Sequence, residues 1–280
     1  MSPQDTDILN IGTQRQQPEN KPTQSKKKMV LSDIFAHCQK QNQYVFDNDL
    51  VKKIAKKHQF GNAYDATKID NSSILPEEIY KKGYCVVHLG DGKHKFIKAA
   101  KDWFHKFEEI NTEEIIWPYR KSVLNETDTS ESNILSVGFN QRIIHDFLYE
   151  DIVASPKMYG ARRTKYTGSY FVNGEVLKCE KLQMEIDLTT EHLGTVTVFE
   201  GKNKFPEDFA VYQLYHPFLH FQQLHDQGEI KVEAINCCYL TRDNVKNESI
   251  IRLHLYTFTD PQEISSLKLL KRAQYRLVKR

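Results

Sequence analysis

Three acidic residues and one lysine lie in runs of residues that otherwise predict buried strands. They are Glu185, Asp187, Glu200 and Lys202, within QMEIDLTTEHLGTVTVFEGKNK at positions 183–204. Carboxylate oxygens are the hard ligands that Mg²⁺ prefers in proteins. An ammonium group beside them can lower the pKa of a metal-bound water or stabilise negative charge developing on phosphorus. These residue types together fit the attack of water on a phosphodiester.

The register of the predicted hairpin decides whether these side chains meet. A two-residue turn at Leu193-Gly194 places Asp187 opposite Glu200 and Glu185 opposite Lys202. Directly opposed residues share one face of the pair, and two carboxylates at that spacing repel unless one is protonated or a cation lies between them. The pattern therefore favours a Mg²⁺ site held by Asp187 and Glu200. The alternative is a solvated sheet face with a cross-strand salt bridge between Glu185 and Lys202.

The order Asp187, then Glu200-Gly201-Lys202 on the next strand, then a helix, resembles the PD-(D/E)XK nuclease superfamily. This resemblance implies that Asp187 and Glu200 hold one or two Mg²⁺ ions per site and that Lys202 orients or activates the water. Ile186 stands where the superfamily has proline, which is tolerable because the strand positions the carboxylate. The segments LPEEIYKKGYCVVHLGDGKHKFIK and WPYRKSVLNETDTSESN extend the resemblance to bacterial type II restriction endonucleases with a winged-helix part before the nuclease domain.

That closer resemblance implies Mg²⁺-dependent, sequence-specific hydrolysis of double-stranded DNA that leaves 5′-phosphates. A homodimer would suit cleavage of both strands of a symmetric site. A cognate DNA methyltransferase would belong to the same system without necessarily touching this chain. Two other functions stay open: a non-catalytic DNA-binding regulator with a nuclease-like fold, and a structure-specific repair nuclease.

The whole sequence predicts an α/β fold, with a mixed central sheet flanked by helices after a small α+β winged-helix-like domain. Residues 1–28 are polar and predict a disordered tail. Residues 29–125 contain three short helical patterns and a hairpin signal at Gly90-Asp91-Gly92, which predict the winged-helix-like DNA-binding domain and a connecting segment. Residues 126–280 predict the nuclease domain. There we expect a helix that starts at Pro206 and is kinked or split at Pro217.

Further candidate residues surround the motif. Glu150, on the helix before the hairpin, is a candidate third metal ligand, and Glu185 is either a further ligand or the partner of Lys202. Gln213 could support the site from the following helix. The basic C-terminal segment KLLKRAQYRLVKR either tracks phosphates or is a solvated tail. Eight basic side chains are candidate DNA contacts, with solvated surface as the alternative: Arg162, Arg163, Lys165, Lys52, Lys53, Lys56, Lys93 and Lys95.

Composition limits the remaining possibilities. The chain has 280 residues, of which 39% are hydrophobic, so a packed core is expected rather than disorder. A net charge of +2 gives no global signal for a polyanionic partner. The five cysteines include no C-x-x-C pair, which argues against a disulfide framework or zinc site and favours a cytoplasmic location. No apolar run approaches the roughly 20 residues of a membrane helix, so no membrane partner is expected.

Overall fold

A seven-stranded mixed sheet lies at the centre of the protein. The computed structural model describes residues 21–120, 122, 131–245 and 248–279. The strand order in the sheet is β5-β14-β13-β12-β10-β9-β6. The pairs β5–β14 and β10–β12 are parallel and the other neighbours are antiparallel. These strands are β5 Ile115–Tyr119, β6 Lys157–Tyr159, β9 Leu188–His192, β10 Thr195–Lys202, β12 Ala234–Val245, β13 Glu248–Phe258 and β14 Leu267–Lys279.

Helices cover both faces of this sheet, which confirms the predicted α/β class with a mixed sheet flanked by helices. Successive residues of a strand point to opposite faces, so Val196 and Val198 pack toward helix α7, Tyr212–Asp226, while Phe199 packs toward the other side. That other face is covered by α5, Glu131–Asn140, and α6, Ile143–Tyr149. None of the helices that the structure describes is long and apolar enough to cross a membrane.

The N-terminal part is built from helices around a small antiparallel sheet of order β1-β3-β2. The hairpin at Gly90-Asp91-Gly92 is present, with positive φ at all three residues. Asp47 begins the second helix, because its carboxylate accepts from the backbone N–H groups of Asp49 and Leu50. The elements are α1 Lys21–Gln41, β1 Val45–Asp47, α2 Asn48–Lys57, α3 Glu77–Lys81, β2 Cys85–Gly90, β3 Lys93–Ile97 and α4 Ala100–Trp103.

Two further strand pairs connect these layers. Strands β7, Arg162–Val172, and β8, Glu175–Ile186, form a long hairpin around the predicted turn at Asn173-Gly174. The short strands β4, Phe104–Lys106, and β11, Asp208–Ala210, pair with each other. One buried core then joins the N-terminal helices, the β7–β8 hairpin and the α7 face of the central sheet.

The tip of the β2–β3 hairpin is pressed against β8. A Cβ added to Gly90 would lie 1.9 Å from the backbone oxygen of Glu180, and the φ of Gly90 is +82°. Only glycine meets both conditions without a shift of backbone. On β8, Lys181 has φ 51° at a bulge opposite Thr167, whose Oγ1 accepts from the Lys181 N–H at 3.0 Å. The close approach fixes the N-terminal hairpin on the β7–β8 hairpin.

One boundary differs from the sequence-based expectation at the N-terminal side. Helix α1 begins at Lys21, so residues 21–28 are helical rather than part of a disordered tail. Lys27 explains the extension, because its Nζ donates to the Lys68 carbonyl at 2.7 Å and lies 3.3 Å from Asp65. Residues 1–20 of the predicted tail, and the predicted boundary at 125–126, lie outside the described residues.

Three expectations on the C-terminal side are corrected. The helix starts at Tyr212, not Pro206, because residues 208–210 pair with β4 and the Asp208 carboxylate accepts from Ser72 N at 2.8 Å. Pro217 does not split this helix, which continues to Asp226, since the surrounding turns are buried and their packing offsets one lost backbone hydrogen bond; only the split, and not the kink, is corrected. The basic C-terminal segment is strand β14, whose alternate residues Ala273, Tyr275 and Leu277 are buried.

Candidate active site

The hairpin of β9 and β10 has the predicted turn. Leu193 and Gly194 have φ of 48° and 80°, the left-handed values of a tight two-residue turn. His192 pairs with Thr195, and Leu188 pairs with Phe199 at the far end of the ladder. The side chains of Glu200 and Lys202 therefore follow the parity of Val196 and Val198, and project to the face of the sheet that carries α7.

The ladder stops one residue short of Asp187, so neither predicted pair, Asp187 with Glu200 or Glu185 with Lys202, is part of it. The chain bends at Asp187, and β8 before it pairs with β7 instead of β10. Glu185 consequently faces Arg163, whose Nε lies 3.5 Å from its Oε1. The predicted salt bridge from Glu185 to Lys202 is wrong, because the long β7–β8 hairpin takes Glu185 out of the central sheet.

The three motif residues nevertheless meet. Asp187 Oδ2 accepts from the backbone N–H of Gly201 at 3.2 Å, which holds its carboxylate against the end of β10. Lys202 Nζ lies 2.8 Å from Oε1 of Glu200. Gln213 Nε2 donates to the same oxygen at 2.8 Å, and Tyr239 donates to Gln213 Oε1 at 3.4 Å. Gln213 thus contacts the site from α7, as predicted.

Burial raises the pKa of Glu200 to about 7. The residue is 9% exposed, and desolvation of the charged form is the largest cause. The nearby Lys202 ammonium lowers the pKa, whereas the Asp187 carboxylate raises it. Without a cation the two carboxylates therefore oppose each other's ionisation, and a positive ion between them would favour both charged forms.

Asp187, Glu200 and Lys202 line one cavity of about 670 Å³. Its wall comes from both halves of the chain. The loop Gly90-Asp91-Gly92 and the side chains of Asn48 and Lys68 come from the N-terminal part. The β7–β8 hairpin and α7 provide other lining residues, among them Arg163, Lys165, Lys181, Glu185, Gln213, His216 and Pro217.

Glu150 does not belong to this site. It ends α6, which packs on the face of the sheet opposite Glu200. Its Oε1 lies 2.6 Å from Lys271 Nζ on β14. The proposed third metal ligand is therefore wrong, because a residue on α6 cannot reach the α7 face through the sheet.

The candidate DNA contacts separate into two groups. Arg163, Lys165 and Lys93 line the cavity. Lys52 lies near it, with Nζ 5.8 Å from the centroid of Tyr64, a lining residue. The side chain of Arg162 packs over the Phe221 ring, and Lys95 forms an ion pair with Glu175 at the tip of the β7–β8 hairpin. Lys53 and Lys56 are exposed on α2 and do not line the cavity.

Sequence reasoning missed a chain of polar side chains in the cavity wall, formed by His88, His94 and Asn48. The Nδ1 atoms of His88 and His94 lie 2.9 Å apart, and His94 Nε2 is 2.9 Å from Asn48 Oδ1. Burial lowers the pKa of His88 to about 4 and that of His94 to about 3, so the pair is neutral at neutral pH. Their positions on adjacent strands gave the available signal: His88 and His94 are direct partners in the β2–β3 ladder.

Tyr212 and Asp70 form a second contact that the sequence did not indicate. Tyr212 donates to Asp70 Oδ1 at 3.1 Å, and Asp70 contributes to the raised pKa of Glu200. Asp70 lies in a loop of the N-terminal part, 142 residues away along the chain. No local pattern predicts a contact across such a separation.

The carboxylates of Asp187 and Glu200 are suitable ligands for Mg²⁺, but they are few in number. Two carboxylates that perturb each other's ionisation are suitable hard ligands, and Mg²⁺ commonly keeps several waters beside one or two carboxylates. In the described part of the chain, no three or more His, Cys, Asp or Glu residues cluster closely enough to hold a metal. Asp187 and Glu200 are thus the two described residues that would hold such an ion.

Comparison with known protein families matches two consecutive segments. Residues 27–96 match the family described as Domain of unknown function (DUF6996), and residues 99–276 match the family described as Domain of unknown function (DUF6997). The segments meet between residues 96 and 99, whereas the sequence pattern predicts a boundary at 125–126. No curated protein and no solved structure gives a significant match. Since residues 99–276 make up more than half of the chain, the protein belongs to the DUF6997 family.

Proposed function

We propose that this protein is a Mg²⁺-dependent DNA endonuclease of the type II restriction class, which hydrolyses phosphodiesters and leaves 5′-phosphates. One observation carries the proposal: Asp187, at the bend between β8 and β9, lines one cavity together with Glu200 and Lys202 of β10. The resemblance of this motif to the PD-(D/E)XK nucleases supplies the reaction class and the polarity of the products.

The chain's own residues have distinct roles in this reaction. Asp187 and Glu200 would hold Mg²⁺, which when bound polarises the phosphoryl group and lowers the pKa of a coordinated water. Lys202 donates hydrogen bonds that orient the attacking water or stabilise charge on the phosphoryl oxygens. Gln213 donates to Glu200 Oε1 and so restricts the orientation of that carboxylate. Gly201 does the same for Asp187 through its backbone N–H.

The N-terminal part would act as the winged-helix-like DNA-binding domain. Its support is the order of elements, with α1, β1, α2 and α3 followed by the β2–β3 hairpin, and the sheet order β1-β3-β2. Lys93, at the start of β3, belongs to the cavity wall, so this hairpin would contact DNA next to the reacting phosphate. A homodimer and a cognate methyltransferase complete the proposed restriction system.

A structure-specific nuclease is the second candidate. The observation that favours it is the exposed aromatic ring of Tyr64 in the cavity lining, since aromatic rings bind unpaired bases more readily than an intact duplex. This candidate uses the same carboxylates and lysine, and differs in what the surrounding surface recognises.

A plasmid-cleavage assay tests the proposal. We expect wild-type protein to cut a closed circular plasmid in Mg²⁺ and to leave it intact in EDTA. Lys202→Ala should reduce the rate by at least about 100-fold, as removal of a charge-stabilising donor does in other enzymes. Lys204→Ala is the matched control, because Lys204 is exposed two residues further on and does not line the cavity.

The products distinguish the candidates. Discrete bands with 5′-phosphate ends support the restriction enzyme, whereas cutting confined to branched or single-stranded substrates supports the second candidate. If neither kind of substrate is cut and wild type matches Lys202→Ala, the proposed function is wrong and a non-catalytic DNA-binding protein becomes the better description.

A further inference from the structure

Tyr64 presents an aromatic ring at the cavity. It lies in the 3-10 turn Ala63–Thr67 and is 65% exposed, although its neighbours Ala66 and Thr67 are buried. Asn62 caps this turn, because its side chain accepts from the Asp65 N–H at 3.4 Å. The turn is therefore anchored in the core while the ring is left at the surface. The ring's own packing does not explain its position, since most of its area is not buried.

Basic side chains surround the same cavity from two directions. The N-terminal part contributes Lys68 and Lys93, and the β7–β8 hairpin contributes the others. Outside the motif, only Asp91 and Glu185 are acidic among the described lining residues. We call the five basic residues of this wall the basic rim: Lys68, Lys93, Arg163, Lys165 and Lys181.

The two sides of the basic rim are held at a fixed separation. Gly90 is packed against the Glu180 carbonyl, which joins the hairpin that carries Lys93 to the strand that carries Lys181. The bulge at Lys181 breaks the alternation of β8 and places this residue on the cavity side. A polyanion entering the cavity would meet positive charge on both walls.

The dimensions and lining favour one strand over two. A cavity of about 670 Å³ is in the range that encloses a drug-sized molecule, which matches a short stretch of one strand rather than a double helix. Proteins that bind single strands combine a basic groove with exposed aromatic rings on which bases stack. The cavity has both features within reach of Asp187 and Glu200.

We propose that the cavity binds an unpaired stretch of DNA, with one base stacked on Tyr64 and the adjoining phosphates on the basic rim. The proposal names the form of substrate for the structure-specific nuclease, the second candidate under the proposed function, and for the chemistry of cleavage it rests on that candidate. The binding itself does not depend on hydrolysis, and it can be measured without a metal.

The test is fluorescence anisotropy with a labelled 20-nucleotide DNA and its matched duplex, in EDTA. We expect the single strand to bind at least about tenfold more tightly than the duplex. Tyr64→Ala should weaken single-strand binding about 5- to 150-fold, the effect of losing one stacked base, and leave duplex binding within twofold. Tyr64→Phe should retain most of the affinity, because it keeps the ring.

The basic rim has its own test. Lys68→Gln and Lys181→Gln should each weaken binding and make the dependence of log affinity on log salt shallower by about 0.7, the value for one phosphate contact on a single strand. Two controls should bind like wild type. Tyr159→Ala removes a tyrosine that is also more than half exposed, and Lys178→Gln removes an exposed lysine of β8, and neither residue lines the cavity.

Several outcomes would overturn the inference. They are equal or tighter binding of the duplex, no binding of either DNA, or an unchanged single-strand affinity for Tyr64→Ala. Competition by polyglutamate as strong as by unlabelled DNA would show a general anion surface instead. Tighter binding of RNA of the same sequence would reject DNA as the ligand. Binding as expected with no cleavage in Mg²⁺ would support this inference while removing the proposed enzymatic function.

Discussion

Nζ of Lys202 lies 2.8 Å from Oε1 of Glu200, two residues earlier on the same strand. Both side chains point to the α7 face, since residues i and i+2 of a strand share a face. The ion pair opposes the effect of burial on Glu200, and it places an ammonium group beside the carboxylate proposed to hold Mg²⁺. An acid and a lysine at this spacing therefore form one ion-paired unit on the cavity side of β10.

Asp187→Asn should abolish the stabilisation of the folded protein by Mg²⁺. Binding to the native state raises the free energy of unfolding by about 2.7 kcal/mol at an ion concentration 100 times Kd. Differential scanning fluorimetry with and without Mg²⁺ should show a higher Tm for wild type and no change for the variant. Glu150→Gln should respond like wild type, because Glu150 pairs with Lys271 on the opposite face. A lost response in Glu150→Gln, or a retained one in Asp187→Asn, would reject the metal site described above.

Gln213→Leu should lower cleavage through Glu200 without direct contact with DNA. The variant removes a donor from a buried carboxylate, and a hydrogen bond to a charged group contributes about 1.5–3 kcal/mol, or roughly 10- to 150-fold in rate. Because the ionised form of Glu200 loses a hydrogen bond, its pKa should rise, and the pH profile of kcat/KM should also move to higher pH. Gln222→Leu, which breaks an exposed contact with Asp226 on the same helix, is the control. An unshifted profile would mean that Gln213 has only a packing role.

Glu108, which does not line the cavity, should make the free energy of unfolding depend on pH. Burial raises its pKa, but hydrogen bonds from His105 and Tyr256 outweigh that effect and bring the pKa down to about 2. The ionised group therefore stabilises the fold above the unfolded pKa of about 4.5, and this contribution is lost as pH falls from 4.5 toward 2. Urea unfolding should show Glu108→Gln to be less stable by about 2 kcal/mol at pH 6, with the difference shrinking near pH 3. A constant difference across this range would contradict the assignment.

Gly90→Ala should destabilise the contact between the two hairpins. The new Cβ would fall 1.9 Å from the Glu180 oxygen, and both the backbone and the positive φ oppose it. We expect a loss of about 2–4 kcal/mol in urea unfolding, within the range for steric conflict in a packed region. Gly61→Ala meets nothing within 4 Å and should cost much less. Equal effects of the two substitutions would show that the hairpins are not in close contact.

The parts of the site that the sequence predicted are local ones. The turn at Leu193-Gly194 and the pairs from His192–Thr195 to Leu188–Phe199 follow from alternation and one glycine. The position of Glu185 could not be predicted in this way, because β7 and β10 compete to pair with the segment that contains Glu185. That competition is decided by the length of the β7–β8 ladder.

The composition of the cavity wall required tertiary information, whereas strand β14 did not. Lys68 and Tyr64 are more than 110 residues from Asp187 in the chain, and only the docked N-terminal part brings them together. For β14 a local signal did exist, since Ala273, Tyr275 and Leu277 alternate with polar residues. The many basic residues of that segment obscured the period of two, which was the more informative property.

The buried core that runs from Val30 to Ile264 has a consequence for how the chain can vary. Two family descriptions divide the sequence between residues 96 and 99, yet one buried core contains residues from both sides of that division. Val86 and Val87 on one side of that division share a core with Leu182 and Leu214 on the other. Either segment alone would expose an apolar surface that the other now covers. We therefore expect the two segments to be inherited, expressed and unfolded together, as one cooperative unit rather than as exchangeable modules.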